Sequence, residues 1–406
     1  MKNHTKKRIA FFLFSLAGGG AERAIVNLIK SPLMKKFSIE LILIKPVDDF
    51  GLHSRMTPRY VQIHSLIRST GKIHPFILPI IALVIICRLI VRMVSNDYHL
   101  VIGVNEYLPY ILTYVASRLK RIPFIIIVGN NLEQLNAEQP KYLQHIYWQM
   151  LSIPIRYANK IICSSEGLKK SIISIFNITE NDIEVIYPIS PPSNKMAPSM
   201  RQKKSSIFTI LSVGRLERQK GHIHLIRAFS FLSKKFPHAR LIICGKGKEH
   251  GRLIEAIHYY KLRKKVLLSG FQTDISTYLR KAHLFVFPSL YEGFGMALFE
   301  AVEAGLPVVS TDCAYGPREI LSNLPIQGPY ESVKKNYIIP GGILIPAFTQ
   351  SAFLEKHLTG EEKRLVEALT QSIRFRKINR YHPPFSMTYA NFIRQFNTIF
   401  RSMLQL

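Results

Sequence analysis

The chain has 406 residues, 47% of them hydrophobic, which is enough for two domains with full cores and excludes a disordered or collagen-like class. Its 55 lysine and arginine residues against 26 aspartate and glutamate residues leave a net charge of +29. Such a charge predicts an acidic partner: a nucleotide, a nucleic acid or an anionic membrane surface. The basic residues are scattered and show neither zinc-finger spacing nor a long basic tail, so no specific nucleic-acid partner is predicted. The four cysteines lie far apart, which predicts no metal site, no disulfide framework and a cytosolic protein.

The N-terminal half predicts one doubly wound α/β domain, at residues 1–195. A first strand at residues 9–16 is followed by a loop that contains Gly19 and Gly20, and then by a helical pattern. Further apolar strands alternate with helix-length segments, which indicates a parallel sheet covered on both faces. These strands are residues 100–102, 124–128 and 160–163. The glycine loop has two explanations, a tight turn needed for packing or a place where a phosphate contacts backbone amides.

The segment from Phe76 to Val94 is nearly continuous isoleucine, leucine, valine and alanine, interrupted by Pro79, Arg88 and Arg92. It approaches the ~20 apolar residues that cross a bilayer without reaching them, so a membrane-spanning helix is not predicted. A helix buried against the sheet and a helix that rests in a membrane interface both remain open.

A polar, proline-rich stretch from Pro188 to Lys204 indicates a linker between two domains. After it, a new series of strands and helices predicts a second doubly wound domain at residues 205–384. Its first strand, residues 207–213, leads into a loop that contains Arg215 and Lys220. These two cations are either an ordinary surface pair or the groups that hold a diphosphate and stabilise it as a leaving group.

A loop between the apolar strand Leu284 to Phe287 and a helix contains the sequence Glu292-Gly-Phe-Gly295. Its glycines let the backbone approach a ligand, and the amides from Phe294 to Leu298 become unpaired donors of a helix N-terminus, which favours a diphosphate. A carboxylate repels a phosphate, so Glu292 and Glu300 are interpreted as acceptors for sugar hydroxyls. The alternative is a Gly-x-Gly turn that serves packing alone.

Two further glycine-containing loops follow strands in this half. Gly245-Lys246-Gly247 follows the strand at residues 240–244, and Ser269-Gly270-Phe271 follows the strand at 266–268. Since open α/β sheets bind ligands at the carboxyl ends of their parallel strands, Lys246 and Phe271 are predicted to line a nucleotide pocket.

Several motifs occur in one order along almost the whole chain. They are Gly18-Gly-Gly-Ala-Glu-Arg23, Val213-Gly-Arg-Leu-Glu-Arg-Gln-Lys-Gly221, Glu292-Gly-Phe-Gly295 with Glu300, Gly305-Leu-Pro-Val-Val309, Thr311-Asp-Cys-Ala-Tyr-Gly-Pro-Arg-Glu319 and Gly341-Gly-Ile-Leu-Ile-Pro346. In these motifs the chain resembles the retaining GT-B glycosyltransferases of the family 4 group. The resemblance implies two Rossmann-like domains facing a cleft, with a C-terminal helix at residues 385–406 that crosses back to the first domain.

The resemblance also implies roles for individual residues. Arg215 and Lys220 would bind the diphosphate, Glu292 the transferred sugar and Glu300 the ribose hydroxyls, while Asn130 stands where many relatives carry a histidine beside the donor sugar. The predicted catalytic residues are thus Glu292, Arg215, Lys220 and Asn130. The predicted donor-binding residues are Gly19, Gly20, Arg215, Lys220, Lys246, Phe271, Glu292, Gly293, Phe294, Gly295, Met296, Ala297, Leu298 and Glu300. No metal or other cofactor is implied, because cations and amides can neutralise the leaving group and the chain has no Asp-x-Asp motif.

The favoured hypothesis is a glycosyltransferase that moves a sugar from a nucleotide-sugar donor to a lipid-linked or surface-glycan acceptor with retention of configuration. The donor would be UDP-linked N-acetylhexosamine or hexose, since the stretch Asp312 to Pro317 resembles that of hexosamine transferases in bacterial surface-glycan pathways. The charge and the Phe76 to Val94 segment predict a peripheral position at the inner face of the cytoplasmic membrane. Two alternatives are an enzyme of the same fold that epimerises or hydrolyses a nucleotide sugar, and a non-catalytic binder of anionic membranes or nucleic acid.

Overall fold

The computed structural model of the protein describes residues 6–50, 52, 58–67, 78–104, 107–191, 207–322, 331–349, 354–375, 381–384 and 387–405, with residues 78–83 described by their backbone alone. The chain divides into two compact units. Unit 1 contains Met1–Pro191 and Ser386–Leu406, and unit 2 contains Pro192–Phe385. Residues 192–204 of the predicted linker lie outside the described residues.

Unit 1 is built on a seven-stranded parallel sheet in the order β3-β2-β1-β4-β5-β6-β7. Its strands are β1 (Arg8–Leu13), β2 (Ser38–Leu43), β3 (Val61–Ser65), β4 (Leu100–Val104), β5 (Phe124–Val128), β6 (Lys160–Cys163) and β7 (Ile183–Val185). Its first helices are α1 (Gly20–Ile29), α2 (Leu78–Ser95), α3 (Leu108–Lys120), α4 (Leu132–Ala137), α5 (Gln144–Tyr157) and α6 (Glu166–Phe176). The central strands are continuous apolar runs because helices cover both faces of the sheet.

Unit 2 repeats this architecture with the sheet order β10-β9-β8-β11-β12-β14-β13. Its strands are β8 (Phe208–Val213), β9 (Ala239–Cys244), β10 (Val266–Leu268), β11 (Leu284–Phe287), β12 (Val308–Asp312), β13 (Tyr337–Ile339) and β14 (Gly342–Pro346). Its helices are α7 (His222–Lys235), α8 (His250–Tyr259), α9 (Ser276–Lys281), α10 (Met296–Glu303), α11 (Pro317–Leu321) and α12 (Gly360–Phe375). All described pairings are parallel except that of β13 with β14. The prediction of two doubly wound α/β domains is confirmed.

The strand order places a ligand crevice at a defined point in each unit. In unit 1, β1 to β3 are added toward one edge of the sheet and β4 to β7 toward the other, so the switch point lies between β1 and β4. In unit 2 the corresponding switch point lies between β8 and β11. Loops that follow the strands on either side of such a switch point diverge and leave a crevice at the carboxyl ends of the strands. In unit 2 these are the loops that carry Arg215 and Glu292.

The predicted C-terminal helix is observed as α13 (Tyr389–Leu404), and it packs on unit 1. Its Gln395 donates from Nε2 to the carbonyl oxygen of Val185 at 2.9 Å, and the rings of Phe37 and Phe400 meet edge to face at 5.8 Å. Phe392, Phe396, Ile399 and Phe400 are buried along one side, as the helical spacing of these apolar residues predicts. The chain therefore returns to its first domain at its C-terminus.

A buried ion pair joins α7 and α12 in unit 2. Arg227 donates from Nε to Glu362 Oε1 at 2.7 Å and from Nη2 to Oε2 at 3.0 Å, and neither side chain is exposed. His224 Nδ1 lies 2.8 Å from the same Oε1. Burial opposes ionisation of Glu362, but the hydrogen bonds from His224 and Arg227 outweigh it and lower the pKa of this carboxyl. Two helices distant in sequence are thus fixed by one fully satisfied polar cluster.

The apolar segment of unit 1 forms α2, and Phe76 and Ile77 of the predicted segment lie outside the described residues. One side of α2 packs inward through Ile85, Leu89 and Met93. The other side exposes Val91 and Val94, at 65% and 72% of their surface. Within the described part of the chain, no helix combines the length and apolar character needed to cross a bilayer.

Candidate active site

The loop after β8 presents two cations at the crevice of unit 2. Arg215 is exposed and Lys220 is half-buried, with the buried side chain of Gln219 between them. Gln219 accepts from Arg215 Nη2 at 3.5 Å and donates from Nε2 to the carbonyl oxygen of Tyr291 at 2.9 Å. Through Gln219 the loop that bears the cations is attached to the loop after β11.

Gly221 brings the same two loops into direct backbone contact. It has a left-handed φ of 61°, and a Cβ atom there would overlap the carbonyl oxygen of Pro288. Only glycine combines that conformation with so close an approach. α7 therefore begins directly against the end of β11.

Glu292 lies in this crevice and is 5% exposed. Its Oε1 accepts hydrogen bonds from Lys220 Nζ at 2.5 Å and from Ser289 Oγ at 2.7 Å. Its backbone is held by the loop after β12: its N–H donates to Ala314 O at 2.7 Å, and its carbonyl accepts from Tyr315 N at 3.2 Å. The structure thus brings together two residues, Lys220 and Glu292, to which separate roles were predicted.

The helix α10 begins at Met296, immediately after the central glycine loop. Gly295, with a φ of 102°, caps it without any side-chain hydrogen bond. The backbone N–H groups of the first turn, at Met296, Ala297 and Leu298, point out of the helix N-terminus, where the helix dipole favours negative charge. Glu300 follows in the next turn and is 9% exposed.

Lys246 and Phe271 lie together at the neighbouring strand ends. Lys246 Nζ lies 5.4 Å from the centroid of the Phe271 ring, a cation–π contact. The carbonyl oxygen of Lys246 accepts from Leu216 N at 2.8 Å, which joins the loop after β9 to the loop after β8. Both residues thus belong to the same edge of unit 2 as Arg215.

The loop after β12 contains a structural ion pair that sequence reasoning missed. Arg318 donates from Nε and Nη2 to the two oxygens of buried Asp312, at 2.7 Å and 2.6 Å. Val333 N also donates to Asp312 Oδ2, at 2.7 Å. Asp312 ends β12 and Arg318 lies in α11, so no single helical or strand period indicated that these two side chains meet. This pair positions the loop that holds the backbone of Glu292.

His222 is a second residue that sequence reasoning missed. It is the first residue of α7, is 3% exposed, and its Nδ1 has no hydrogen-bond partner within the described residues. Burial, reinforced by the charge of Lys220, lowers the pKa of His222 to about 3. The imidazole is therefore neutral at physiological pH. In the sequence, only its position directly after Lys220-Gly221 pointed to a place in the site.

The remaining predicted residues lie in unit 1. Gly19 is the N-cap of α1 and Gly20 is its first residue. A Cβ atom placed on Gly129 would lie 3.4 Å from Cβ of Ala21, so the end of β5, where Asn130 follows, adjoins the first turn of α1. The structure therefore groups Gly19, Gly20 and Asn130 at one edge of unit 1.

No three histidine, cysteine, aspartate or glutamate side chains in the described ranges are arranged to hold a metal ion. The absence of a metal from the reaction stays a prediction.

Comparison with protein families agrees with this geometry. The model described as "Glycosyltransferase Family 4" matches residues 18–189, and the model described as "Glycosyl transferases group 1" matches residues 198–328. The first match lies in unit 1 and the second in unit 2. The chain belongs to the family 4 group of glycosyltransferases.

Two relatives of this glycosyltransferase extend over most of its length. An uncharacterized glycosyltransferase of Methanocaldococcus jannaschii is 29% identical over 70% of this chain and 75% of its own. The N-acetylgalactosamine-N,N'-diacetylbacillosaminyl-diphospho-undecaprenol 4-alpha-N-acetylgalactosaminyltransferase of Campylobacter jejuni is 27% identical over 78% of this chain and 84% of its own. Both names describe transferases, which agrees with the family.

The fold of this glycosyltransferase is also found in solved structures. The crystal structure of Anabaena Alr3699/HepE in complex with UDP and glucose matches with a TM-score of 0.65 and 18% identity, over 98% of this chain and 97% of that one. A glycosyltransferase of Rickettsia africae matches with a TM-score of 0.66 and 16% identity, over 99% and 100%. The predicted GT-B architecture is confirmed by these matches.

Proposed function

We propose that this glycosyltransferase moves a sugar, N-acetylhexosamine or hexose, from a UDP-linked donor to a lipid-linked or surface-glycan acceptor with retention of configuration. The observation that carries the proposal is the contact between Lys220 and Glu292 at the switch point of unit 2, beside the N-terminus of α10. This arrangement combines a cation, a run of backbone amides and a buried carboxylate that can accept hydrogen bonds from hydroxyl groups, all within neighbouring loops.

The cations and amides suit a departing diphosphate. Arg215 supplies a planar fork of donors and Lys220 a compact charge, while the first turn of α10 supplies N–H groups and a favourable dipole. Negative charge grows on the diphosphate as the glycosidic bond breaks, so donors fixed in advance stabilise the transition state more than the ground state. The proposal therefore needs no metal or other cofactor.

Glu292 has the properties of a sugar-binding group. Its carboxylate is buried and already accepts two hydrogen bonds, from Lys220 and Ser289, through the same Oε1. A carboxylate has about four acceptor positions, so hydroxyl groups of a sugar can be bound without displacing Ser289. Retention would follow from attack on the face from which the diphosphate departs.

The names of relatives support the choice of donor and acceptor. The Campylobacter jejuni relative is named as an N-acetylgalactosaminyltransferase acting on a diphospho-undecaprenol glycan, and the Anabaena structure holds UDP and glucose. By analogy we propose a UDP-sugar donor and a polyprenyl diphosphate-linked glycan acceptor.

A lipid-linked acceptor calls for a peripheral position on the inner face of the cytoplasmic membrane. The net charge of +29 and the exposed side of α2 support this position. If charge brings the protein to the membrane, binding to acidic vesicles weakens as salt rises, because exposed charges are screened beyond about 8 Å at physiological ionic strength. Replacing Val91 and Val94 by serine should weaken vesicle binding further. Equal binding to neutral and acidic vesicles would contradict attraction of the protein to the membrane by charge.

The deciding experiment is a transfer assay with UDP-sugars and polyprenyl diphosphate-linked glycans, with the product anomer determined by nuclear magnetic resonance. The proposal expects acceptor-dependent product with the anomeric configuration of the donor. Conversion of the donor without acceptor would favour the epimerase or hydrolase alternative. Membrane binding without any affinity for nucleotides would favour a non-catalytic binder.

A further inference from the structure

Unit 1 contains a cleft of about 440 Å³ that is lined by none of the residues assigned to the proposed transfer reaction. It is lined by Ser117, Arg118, Arg121, Ile122, Pro123, Phe124, Tyr157 and Asn159. Phe124 begins β5 and Asn159 precedes β6, so the cleft lies at the amino ends of these strands. The glycine loop and Asn130 lie at the opposite, carboxyl edge of the same sheet. The cleft is therefore separate from the predicted catalytic residues of this unit.

The guanidinium of Arg118 is held in place by two tyrosine rings. Its Cζ lies 5.1 Å from the ring centroid of Tyr114 and 5.4 Å from that of Tyr157. Tyr114 lies one helical turn before Arg118, on the same face of α3, while Tyr157 comes from the last turn of α5. Contact with two rings orients the plane of the guanidinium while its N–H groups remain available at the edge.

The cleft offers donors and positive charge without a carboxylate. No aspartate or glutamate lines it, and within the described ranges neither Arg118 nor Arg121 forms an ion pair. Arg121 has a left-handed φ of 53° at the end of α3, a position usually taken by glycine or asparagine. Asn159 accepts from Phe124 N at 2.9 Å through Oδ1, which ties the residue before β6 to the start of β5. Such a set of donors matches a phosphate group.

Exposed apolar side chains occur on both helices, α3 and α5, that contribute residues to this basic cleft. Leu119, 52% exposed, adjoins Arg118, and Lys120 Nζ reaches the carbonyl oxygen of Val94 at the end of α2 at 3.5 Å. On α5, Ile153 lies one turn before Tyr157, and both are exposed. A free anion in water needs no apolar rim, whereas a phosphate at a bilayer surface lies directly above acyl chains.

We propose that this cleft binds the phosphate of an anionic lipid headgroup, with Arg118 and Arg121 as its ligands. The apolar residues around it would then rest against the acyl boundary of the membrane. This proposal rests on the proposed membrane position and adds a lipid-binding site to it, but it does not depend on the proposed sugar transfer.

The test is binding of the full-length protein to vesicles of equimolar phosphatidylglycerol and phosphatidylcholine. The variant with Arg118→Gln and Arg121→Gln should bind about tenfold more weakly or worse, because two headgroup contacts are lost together. A matched control with Lys35→Gln and Lys36→Gln removes two exposed charges of unit 1 that precede β2 and do not line the cleft, and its affinity should change less than about twofold. Equal losses of vesicle affinity in the two variants would contradict a specific site and indicate that only the overall charge attracts the protein to the membrane.

The single variant Arg118→Lys distinguishes a built site from charge alone. Lysine keeps the charge but has no planar guanidinium that could contact the rings of both Tyr114 and Tyr157 and donate from a fork, so vesicle binding should fall severalfold. Wild-type affinity in this variant, with a normal melting temperature, would contradict the proposal. If inorganic phosphate raised the melting temperature of the wild type but not of the double glutamine variant, while vesicle binding was unchanged, the occupant would be a soluble anion and not a lipid. Binding of UDP to the wild type, measured on the same preparation, tests the donor site separately.

Discussion

Lys220 Nζ lies 2.5 Å from Glu292 Oε1, so the cation predicted to hold the diphosphate is already paired with the carboxylate predicted to hold the sugar. Glu292 is almost fully buried and Lys220 is half-buried, so the pair is partly desolvated and removing one partner leaves the other's charge poorly compensated. A bound donor can place its diphosphate on Lys220 and its hydroxyls on Glu292. If the two residues have these roles, binding of the donor would exchange one charge-assisted contact for two.

The first prediction separates the two cations. Lys220→Ala should weaken binding of UDP more than Arg215→Ala does, because it also leaves the carboxylate of Glu292 without its cation beside the phosphates. Each lost charged hydrogen bond corresponds to roughly 1.5–3 kcal/mol. Calorimetric titration with UDP measures both, and the neighbouring exposed Arg218→Ala serves as the control. Equal affinity for UDP in all three variants and the wild type would contradict the assignment of Lys220 and Arg215 to diphosphate binding.

The second prediction concerns the two glutamates. Glu292→Gln should abolish most turnover while UDP binds at least as tightly as to the wild type, because Lys220 is released from its competing partner. Glu300→Gln should instead weaken UDP and the UDP-sugar alike, by roughly 1–3 kcal/mol, if this residue binds the ribose. Steady-state kinetics combined with UDP titration distinguishes the two patterns. Normal turnover in a well-folded Glu292→Gln protein would exclude its contact with the transferred sugar.

The third prediction concerns the stability of unit 2. Glu362→Gln leaves the guanidinium of Arg227 without its buried counter-charge, since the carboxylate of Glu355 at 3.7 Å is largely exposed, and it should lower the free energy of unfolding by about 3–5 kcal/mol. Glu367→Gln removes an exposed partner of Arg364 on the same helix, and its effect should stay below about 1 kcal/mol. Urea denaturation of both variants gives the comparison. Similar small effects in both would show that the buried pair contributes little.

The fourth prediction concerns pH. The pKa of His222 is about 3 in the folded protein and near 6.5 when unfolded, so below pH 6.5 the unfolded chain binds the extra proton. Stability is then lost as pH falls from 7 toward 3, by at most about 1.4 kcal/mol per pH unit from this residue. His222→Leu should flatten the fall in melting temperature between pH 7 and 5. The exposed His250→Gln should leave that slope unchanged, and the assignment fails if the two variants behave alike.

Much of the fold could be predicted because its signals are local. Apolar runs and helical spacing located most strands and helices within a few residues, and glycines marked the loops after β1, β9, β10 and β11. Glu40 shows the limit of local patterns: it lies within β2, is buried, and accepts from Tyr98 Oη at 2.8 Å. Its hydrogen-bond partners, Arg92 and Tyr98, lie more than fifty residues away, and no local pattern encodes these contacts.

The candidate site was predictable residue by residue, but its internal contacts were not. The motifs indicated Arg215, Lys220 and Glu292 separately, since each follows a strand. Their pairing depends on β8 and β11 being neighbours in the sheet, which strand order alone decides. The same is true of Asp312 and Arg318, whose contact depends on the turn that follows β12.

The close backbone contacts at the carboxyl edge of unit 2 affect protein engineering. A side chain on Gly221 would overlap the carbonyl of Pro288, and one on Gly316 would overlap that of Phe294, so each loop is shaped to its neighbour. Lengthening or replacing one loop would displace the next in turn. Exchange of donor preference between relatives by loop grafting will therefore require these loops to be transferred as a set.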